Sequence, residues 1–379
     1  MKRILVYSHD TFGLGNIRRM LTIAQHLAES DPDVSVLIAS GSPMLHAFRI
    51  PPRVDYVKLP CLSRTLKGSY SVKFLDMPFE DTIRLRSNLL VSALLDFAPD
   101  VVVVEKPFGV SNELAPALEL LQRRGSKTKL VLLLRDILDS PEATRAVWQK
   151  NRYFDAIEEF YDQVLVVGSR DLFDITKEYA FPAAAADKVR FCGYLRRQRS
   201  AVGREQQRAR LGVGEERLVL VTPGGGEDGT RLVAGHIEAW PDVAARTNAK
   251  SLVVCGPEMA QAQREAMHAA AAGLRGLTIK DFSDDMIGLM DAADVVVSMS
   301  GYNTVCELLT LKKRSILVPR VKPVQEQLVR AERLAHLGLA RMLHPDALTA
   351  HTLADALVEE LDCANVHQSG LYQIDMDGL

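Results

Sequence analysis

The residues best suited to do chemistry lie in one stretch, where an apolar run at 293–298 passes through Ser300 and Gly301 into a helical pattern. A strand that turns into a helix through small residues places free backbone N–H groups and the positive end of a helix dipole at the carboxyl end of a sheet. This geometry binds phosphate. Glu307 lies one helical turn beyond Asn303, on the same face, where its carboxylate would accept hydrogen bonds from two sugar hydroxyls. The pattern therefore predicts a site for a nucleotide sugar.

A glycine-rich loop, Gly13-Leu14-Gly15-Asn16-Ile17-Arg18, follows the first predicted strand and opens the first predicted helix. A dinucleotide-binding turn needs a third glycine where this chain has Arg18, and an acid after the second strand, where this chain has Ala39-Ser40-Gly41. We therefore expect the loop to let a substrate approach the backbone rather than to bind NAD. A tight strand-to-helix turn without a ligand is the alternative.

A second loop, Pro223–Thr230, contains the four glycines Gly224, Gly225, Gly226 and Gly229. Because glycine is costly in conformational entropy, this density indicates special backbone angles or a close approach. The loop lacks the Gly-Lys-Ser/Thr end of a Walker A loop. We predict that it clasps a diphosphate from the side opposite Ser300 and Gly301, and a purely structural loop is the alternative.

Glu326 and Gln327 follow the predicted strand Ser315–Val318, and Pro323 suits the first turn of the helix that comes next. Both side chains would therefore lie near a helix N-terminus at the carboxyl end of the sheet, where they would bind sugar hydroxyls. An ordinary polar first turn is the alternative.

Short β-branched runs alternate with helical patterns along the chain, which is typical of α/β proteins with parallel sheets. Most runs are continuously apolar, as expected of strands buried on both faces. The predicted strands are Ile4–Tyr7, Val34–Ala39, Val101–Val104, Lys129–Leu133, Val164–Val167, Leu218–Thr222, Ser251–Cys255, Asp294–Ser298 and Ser315–Val318. The predicted helices are Asn16–Glu29, Asn112–Arg124, Arg170–Tyr179, Gly229–Arg246, Met259–Ala272, Asp284–Ala292, Tyr302–Leu311, Val324–His336 and His351–Cys363.

At 379 residues the chain exceeds one ordinary hydrophobic core. The series of strand-helix units is interrupted by a polar, basic stretch at 195–210. We therefore predict two Rossmann-like parallel-sheet domains facing across a cleft. The first spans residues 1–194, the second spans 195–350 and carries the nucleotide-sugar site, and 351–379 form a C-terminal helix and a frayed or loosely docked tail.

The net charge of -2 gives no bulk attraction to nucleic acid, so no nucleic-acid partner is expected. The five cysteines are scattered, which favours reduced thiols. We expect no signal peptide and no spanning helix, and a cytoplasmic protein. A basic loop with Arg64, Lys67 and Lys73 would suit an anionic acceptor, and the segment 83–95 would suit peripheral contact with a membrane. A solvated loop and burial against the sheet are the alternatives.

The second half resembles the donor domain of MurG-type glycosyltransferases (family 28, GT-B fold). The resemblance rests on Phe282-Ser283-Asp284-Asp285-Met286, Ala293–Ser298, Ser300-Gly301-Tyr302-Asn303-Thr304, Glu307, Pro319 and Glu326-Gln327. The first half resembles the family mainly through Gly13–Arg18, which is similar to that family's acceptor-side glycine loop.

The resemblance implies an inverting transferase that needs neither metal nor cofactor and moves a sugar from a UDP-linked donor to an acceptor hydroxyl. It implies that Glu307 binds the ribose and that Phe282 lines the base. It implies further that the diphosphate is cradled by Ser300, Gly301, Asn303 and Thr304, with Gly224, Gly225 and Gly226 on its other side. Glu326 and Gln327 would read the donor sugar.

Where the family's glycine loop usually ends in a histidine placed as general base, this chain has Asn16, which cannot take a proton. His9 and Asp10 are the first candidates for another base, and Asp136 and Asp139 are the next. Asp136 pairing with Arg135, and Asp139 capping a helix, are the alternatives for the latter two. Retaining GT-B enzymes often carry a second glutamate where this chain has Met299, so inversion is favoured.

Two other functions stay open at the level of the sequence. One is a UDP-sugar 2-epimerase on the same fold, and the other is a non-catalytic subunit that binds a nucleotide sugar, an interpretation to which Asn16 gives weight. The sugar, the acceptor and the oligomeric state are not determined by the sequence.

Overall fold

The computed structural model describes residues 2–9, 15–64, 70–362 and 374–379. Asp10, Gly13 and Lys67 among the predicted residues lie outside this part of the chain. Within it the strands are β1 Lys2–Ser8, β2 Val34–Ser40, β3 Val54–Lys58, β4 Leu62–Arg64, β5 Tyr70–Val72, β6 Val101–Val104, β7 Lys129–Arg135, β8 Gln163–Val167, β9 Val189–Phe191, β10 Arg217–Thr222, β11 Ala249–Val254, β12 Leu277–Lys280, β13 Val295–Ser298, β14 Ser315–Leu317 and β15 Arg341–Met342.

The helices of the same residues are α1 Gly15–Ser30, α2 Phe79–Phe97, α3 Ala115–Arg123, α4 Pro141–Lys150, α5 Tyr153–Phe160, α6 Ile175–Glu178, α7 Ala183–Ala186, α8 Arg204–Arg210, α9 Thr230–Arg246, α10 Gln261–Ala271, α11 Met286–Ala292, α12 Tyr302–Leu311, α13 Glu326–His336 and α14 Ala350–Asp362. None of these helices is both long enough and apolar enough to cross a bilayer.

The first domain is built on a parallel sheet with the strand order β3-β2-β1-β6-β7-β8-β9. Its strands are apolar along most of their length, because helices cover both faces of a parallel sheet. The order reverses between β1 and β6, so the connections that leave these two strands run to opposite faces. The crevice that opens at such a point, at the carboxyl ends of the strands, is where α/β proteins bind ligands.

The second domain has a parallel sheet with the order β12-β11-β10-β13-β14-β15, which reverses between β10 and β13. The loop after β10 contains Gly224–Gly226, and the turn after β13 contains Ser300 and Gly301. Both predicted binding segments therefore lie at the carboxyl edge of this sheet, next to the point where its strand order reverses. The predicted fold class, two Rossmann-like parallel-sheet domains, is confirmed.

A second apolar cluster lies within residues 219–361, but the larger cluster runs through both domains. It includes Leu132 of the first sheet and Leu220 of the second, both fully buried. Across the boundary, the Tyr302 ring stacks on the Tyr194 ring at 5.8 Å, and the Tyr302 hydroxyl donates to the Val167 carbonyl at 2.8 Å. Because apolar surface is shared, the domains pack as one body.

The two tryptophans lie one in each domain, and both are buried. Trp148 of α4 packs among aromatic rings of the first domain, including that of Phe181 at 5.3 Å. Trp240 of α9 donates its indole N–H to the Arg275 carbonyl at 2.9 Å, inside the second domain.

Residues 374–379 are docked on the segment that connects the sheets, contrary to the expectation of a loose tail. The Tyr194 N–H donates to the Asp375 carbonyl at 2.7 Å, and the Gly378 N–H donates to the Tyr194 carbonyl at 3.1 Å. Leu195 and Asp377 form an antiparallel bridge. The interdomain connection is therefore held by backbone hydrogen bonds from a distant part of the chain.

Candidate functional site

The carboxyl edges of the two sheets face each other across a cleft of about 1840 Å³. Most of the predicted site residues that the structure describes line this cleft. They are His9, Gly15, Asn16, Arg18, Asp139, Gly224, Gly225, Gly226, Phe282, Gly301, Asn303, Thr304, Glu307, Glu326 and Gln327. Ser300 and Asp136 are buried behind its wall. The sequence patterns from both halves thus converge on one site.

The start of α12 forms the centre of the cleft wall. Gly301 caps the helix in an extended conformation, and the first backbone N–H groups of a helix have no acceptor within it. Tyr302 and Cys306 of this helix are buried in the core, which turns Asn303 and Glu307 toward the cleft. The Glu307 side chain is only 7% exposed, so its carboxylate is a fixed acceptor one turn from the helix start.

The Gly224–Gly226 loop needs glycine for the packing of its own backbone. Gly224 and Gly226 have φ angles of +85° and +100°, and a Cβ at Gly226 would lie 2.4 Å from the Cys255 carbonyl oxygen. A Cβ at Gly224 would instead point at the Thr304 hydroxyl, 3.7 Å away. The loop therefore faces the start of α12, and its glycines have the structural role that was the alternative. A clasp on a diphosphate stays a prediction.

Glu326 is the first residue of α13, which begins two residues later than predicted. Its carboxylate is paired with Arg135 of the first domain at 3.0 Å and with Arg320 at 3.3 Å. The Gln327 side-chain oxygen accepts from the backbone N–H of Arg320 at 3.1 Å. Both predicted sugar-binding residues line the cleft, but the carboxylate of Glu326 is already engaged by cations.

Asp136 does not belong to the cleft. Its carboxylate forms a two-pronged ion pair with Arg330, at 2.7 and 2.8 Å, and accepts a hydrogen bond from the Tyr194 hydroxyl at 2.6 Å. Burial by itself raises the pKa of the Asp136 carboxyl, but the charge and hydrogen bonds of Arg330 outweigh it and hold that pKa below its ordinary value. Asp136 is therefore a fixed anion between the domains, and the structure gives it no path to a substrate proton.

Asp136 and Asp139 follow β7, and the structure also contradicts the structural alternative that the sequence offered for each. Asp136 pairs with Arg330 of the second domain rather than with Arg135. Ser140, not Asp139, caps α4, accepting from the Ala143 N–H at 3.3 Å. Asp139 instead accepts from the Gln325 N–H at 2.7 Å, across the domain boundary.

His9 lies half-buried at the end of β1 and lines the cleft. Burial, and then the positive charges of Lys106 and Arg135, lower the pKa of His9 to about 3. The imidazole is therefore neutral at physiological pH. The Asn16 side chain donates to the His9 carbonyl at 2.7 Å, which ties the residue at the family's histidine position to His9.

Several contacts that shape the site carry no signal in the sequence. Arg18 was expected on the acceptor side, yet its guanidinium pairs with Glu307 at 3.2 Å. Arg197, in the stretch between the domains, donates to the Thr22 hydroxyl at 2.7 Å and to the Asn303 side-chain oxygen. Each of these contacts joins segments far apart in the chain, so spacing within one motif does not reveal them.

The chain resembles known proteins in the region that builds this wall of the cleft. Residues 218–369 match the model of the glycosyltransferase family 28 C-terminal domain. A UDP-N-acetylglucosamine–N-acetylmuramyl-(pentapeptide) pyrophosphoryl-undecaprenol N-acetylglucosamine transferase of Mannheimia succiniciproducens is 29% identical over 183 residues, 47% of this chain and 49% of that protein. The chain spans about half or less of the length of the curated relatives it matches.

Solved structures share the whole two-domain fold. MurG of Acinetobacter baumannii has a TM-score of 0.61 at 18% identity, covering 96% of this chain and 91% of that one. A putative UDP-N-acetylglucosamine 2-epimerase from Listeria monocytogenes has a TM-score of 0.62 at 12% identity, covering 100% and 93%. The chain is thus similar to the family 28 glycosyltransferases over residues 218–369, and its two-domain fold is similar to that of MurG.

Proposed function

We propose that this protein transfers a sugar from a UDP-linked donor to an acceptor hydroxyl, with inversion at the anomeric carbon and without a metal ion. The observation that carries the proposal is the start of α12, where open backbone N–H groups and the fixed Glu307 carboxylate face the Gly224–Gly226 loop across one gap. A diphosphate and a ribose, in that order along the helix, fit these groups.

In the proposed complex the diphosphate lies against the N–H groups of Asn303 and Thr304, and the ribose hydroxyls donate to Glu307. Phe282 is 59% exposed and lines the cleft, where the base would pack against it. Asn303 contributes its backbone, since its side-chain amide donates to the Gly15 carbonyl at 3.0 Å. The Gln327 amide faces the donor sugar, while Glu326 positions Arg135 and Arg320.

The proposed reaction is a single displacement. The acceptor hydroxyl oxygen bonds to the anomeric carbon as the bond from that carbon to the diphosphate oxygen breaks, and UDP leaves. The dipole of α12 stabilises the charge that develops on the leaving diphosphate. We assign the acceptor's proton to His9, which is neutral and therefore able to accept it. The negative charges of a bound diphosphate would raise the pKa of His9 toward a more effective value.

The acceptor is proposed only as a hydroxyl compound. The Mannheimia relative is named for a pyrophosphoryl-undecaprenol acceptor, but the family model covers residues 218–369, on the donor side of the cleft. Peripheral contact with a membrane also stays a prediction, because the family model does not cover the first domain.

A thermal-shift panel with UDP, GDP, dTDP, ADP and NAD tests the donor site. A ligand at about 100 times its dissociation constant adds about 2.7 kcal/mol of stability. We expect stabilisation by one nucleoside diphosphate, lost in Glu307→Ala and kept in Glu332→Ala, a matched change at an exposed residue of α13. Stabilisation by NAD alone, or by none of the five, would contradict the proposal.

Measurements of UDP release distinguish the proposed transferase from a 2-epimerase and from a non-catalytic subunit. Release of UDP that depends on an added hydroxyl acceptor supports the transferase, whereas a 2-epimerase needs no acceptor. Nucleotide binding without turnover for any acceptor would favour a non-catalytic subunit. For the transferase, His9→Gln should lower kcat by about 10²–10⁴-fold while leaving the UDP affinity within error.

A further inference from the structure

Arg18 reaches from the first domain to the predicted ribose carboxylate. It lies on the first turn of α1, and its Nη2 is 3.2 Å from Glu307 Oε1. The two side chains differ in freedom, because Arg18 is 44% exposed and Glu307 is 7% exposed. The arginine is therefore the partner that can move when another group binds the carboxylate.

The backbone around Arg18 is held against α12 independently of this ion pair. The Gly15 carbonyl accepts from the Asn303 amide at 3.0 Å, and Thr22, one turn after Arg18, accepts from Arg197, which also contacts Asn303. Arg18 thus projects from a fixed platform beside the first two turns of α12. Glu307 and Asn303 are four residues apart, which is about 6 Å along a helix axis. A rotation of the arginine side chain spans that distance.

A bound donor changes what surrounds the guanidinium. The ribose hydroxyls would take over the Glu307 carboxylate, and the diphosphate would bring two negative charges to the helix start. Arginine presents a planar fork of donors that matches phosphate oxygens, and such charge-assisted bonds are stronger than neutral ones. The exchange replaces one anionic partner by a more highly charged one.

We propose that Arg18 is a donor-binding residue that leaves Glu307 and pairs with the diphosphate when the nucleotide sugar binds. This assignment rests on the proposed function, since it requires a nucleoside diphosphate in the cleft. It moves Arg18 from the acceptor-side loop to the donor site and makes the first domain supply a cation to the leaving group.

Calorimetric titration of uridine and of UDP tests the assignment, with the native protein, Arg18→Ala, Arg18→Lys and Arg231→Ala. Arg231 is an exposed arginine of α9 outside the cleft lining and serves as the charge-matched control. For Arg18→Ala we expect a loss of UDP affinity of about ten- to a hundredfold, the range of a hydrogen bond to a charged group. Uridine affinity should stay the same or rise, because Glu307 loses its competitor. Arg18→Lys should recover part of the loss, and Arg231→Ala should change neither affinity.

Equal effects of Arg18→Ala on uridine and UDP would overturn the assignment, and tighter binding of both would mean that Arg18 only competes for Glu307. If the native protein binds uridine and UDP with equal affinity, the diphosphate site fails and this inference fails with it. If it binds UDP more tightly than uridine and Arg18→Ala does not change the ratio, the proposed function stands and only the role of Arg18 is wrong.

Discussion

Asp136 and Arg330 bring opposite charges from two domains into a place that is 1% and 0% exposed. The Arg330 guanidinium also donates to the Ser300 carbonyl at 2.7 Å, directly before the turn that begins α12. A buried charge that loses its partner is strongly destabilising, whereas removing both charges is often close to neutral. The pair therefore sets the position of the turn before α12 relative to the first domain.

We predict that Asp136→Asn lowers the free energy of unfolding by about 3–5 kcal/mol, because it leaves the Arg330 charge buried without its partner. Adding Arg330→Met should recover much of the loss. Urea unfolding at neutral pH measures both changes, and Asp96→Asn, at an exposed site on α2, should stay within about 0.5 kcal/mol of the native protein. A single variant as stable as the native protein would show that the ion pair is dispensable.

The same carboxylate makes stability depend on pH. The pKa of Asp136 is lower in the folded protein than its ordinary value of about 3.9 in unfolded chains. The stabilisation is therefore complete above about pH 4 and is lost as the pH falls through the lower, folded value. Below about pH 4 the free energy of unfolding should therefore fall more steeply with decreasing pH for the native protein than for Asp136→Asn, as urea unfolding at several pH values would measure.

At the residue scale, the sequence predicts the residues of single motifs but not the contacts between motifs that lie far apart in the chain. Glu307 and the Gly224–Gly226 loop follow from local spacing, and both line the cleft. Arg18 on Glu307 and Arg330 on Asp136 join positions 289 and 194 residues apart. Residues at such separations meet only through the tertiary fold, so local periodicity carries no information about them.

At the element scale, the continuous apolar runs identified the central strands because burial on both faces removes polar residues. The strands that the sequence missed lie at sheet edges or are very short. β12, at one edge, alternates half-buried and exposed residues, and β15 has only two residues. Such strands lack the apolar run on which the prediction depends.

The glycine loop after β10 allows a prediction that separates folding from binding. Gly226→Ala should be severely destabilising, because its positive φ costs about 1–3 kcal/mol and the new Cβ would also overlap the Cys255 carbonyl. Gly224→Ala should incur the backbone cost alone, while its methyl group narrows the gap to Thr304 and weakens UDP binding.

Urea unfolding and UDP titration of the two variants measure these effects. Gly203→Ala is the matched control, because Gly203 has a negative φ of -66° and open space around its Cβ position. Equal stability of the Gly224 and Gly226 variants would contradict the packing argument.

At the scale of the whole molecule, the shared core and the buried ion pair join the domains into one cooperative unit. We predict that the Trp148→Phe and Trp240→Phe variants, each with one reporter left in the other domain, unfold with coincident midpoints in urea. Tryptophan fluorescence of each variant, compared with circular dichroism of the same sample, measures this. Two separated transitions would mean that each domain is stable without the interface.

Asn303 has its backbone in the first turn of α12, and its side-chain amide donates to the Gly15 carbonyl of the first domain. A ligand that tightens one of these contacts changes the free energy of the other. Binding linkage is reciprocal, so in the proposed transferase a donor and an acceptor must change each other's affinity by the same factor. Affinity measured for one of the two ligands alone would then differ by that factor from the affinity that applies when both are present.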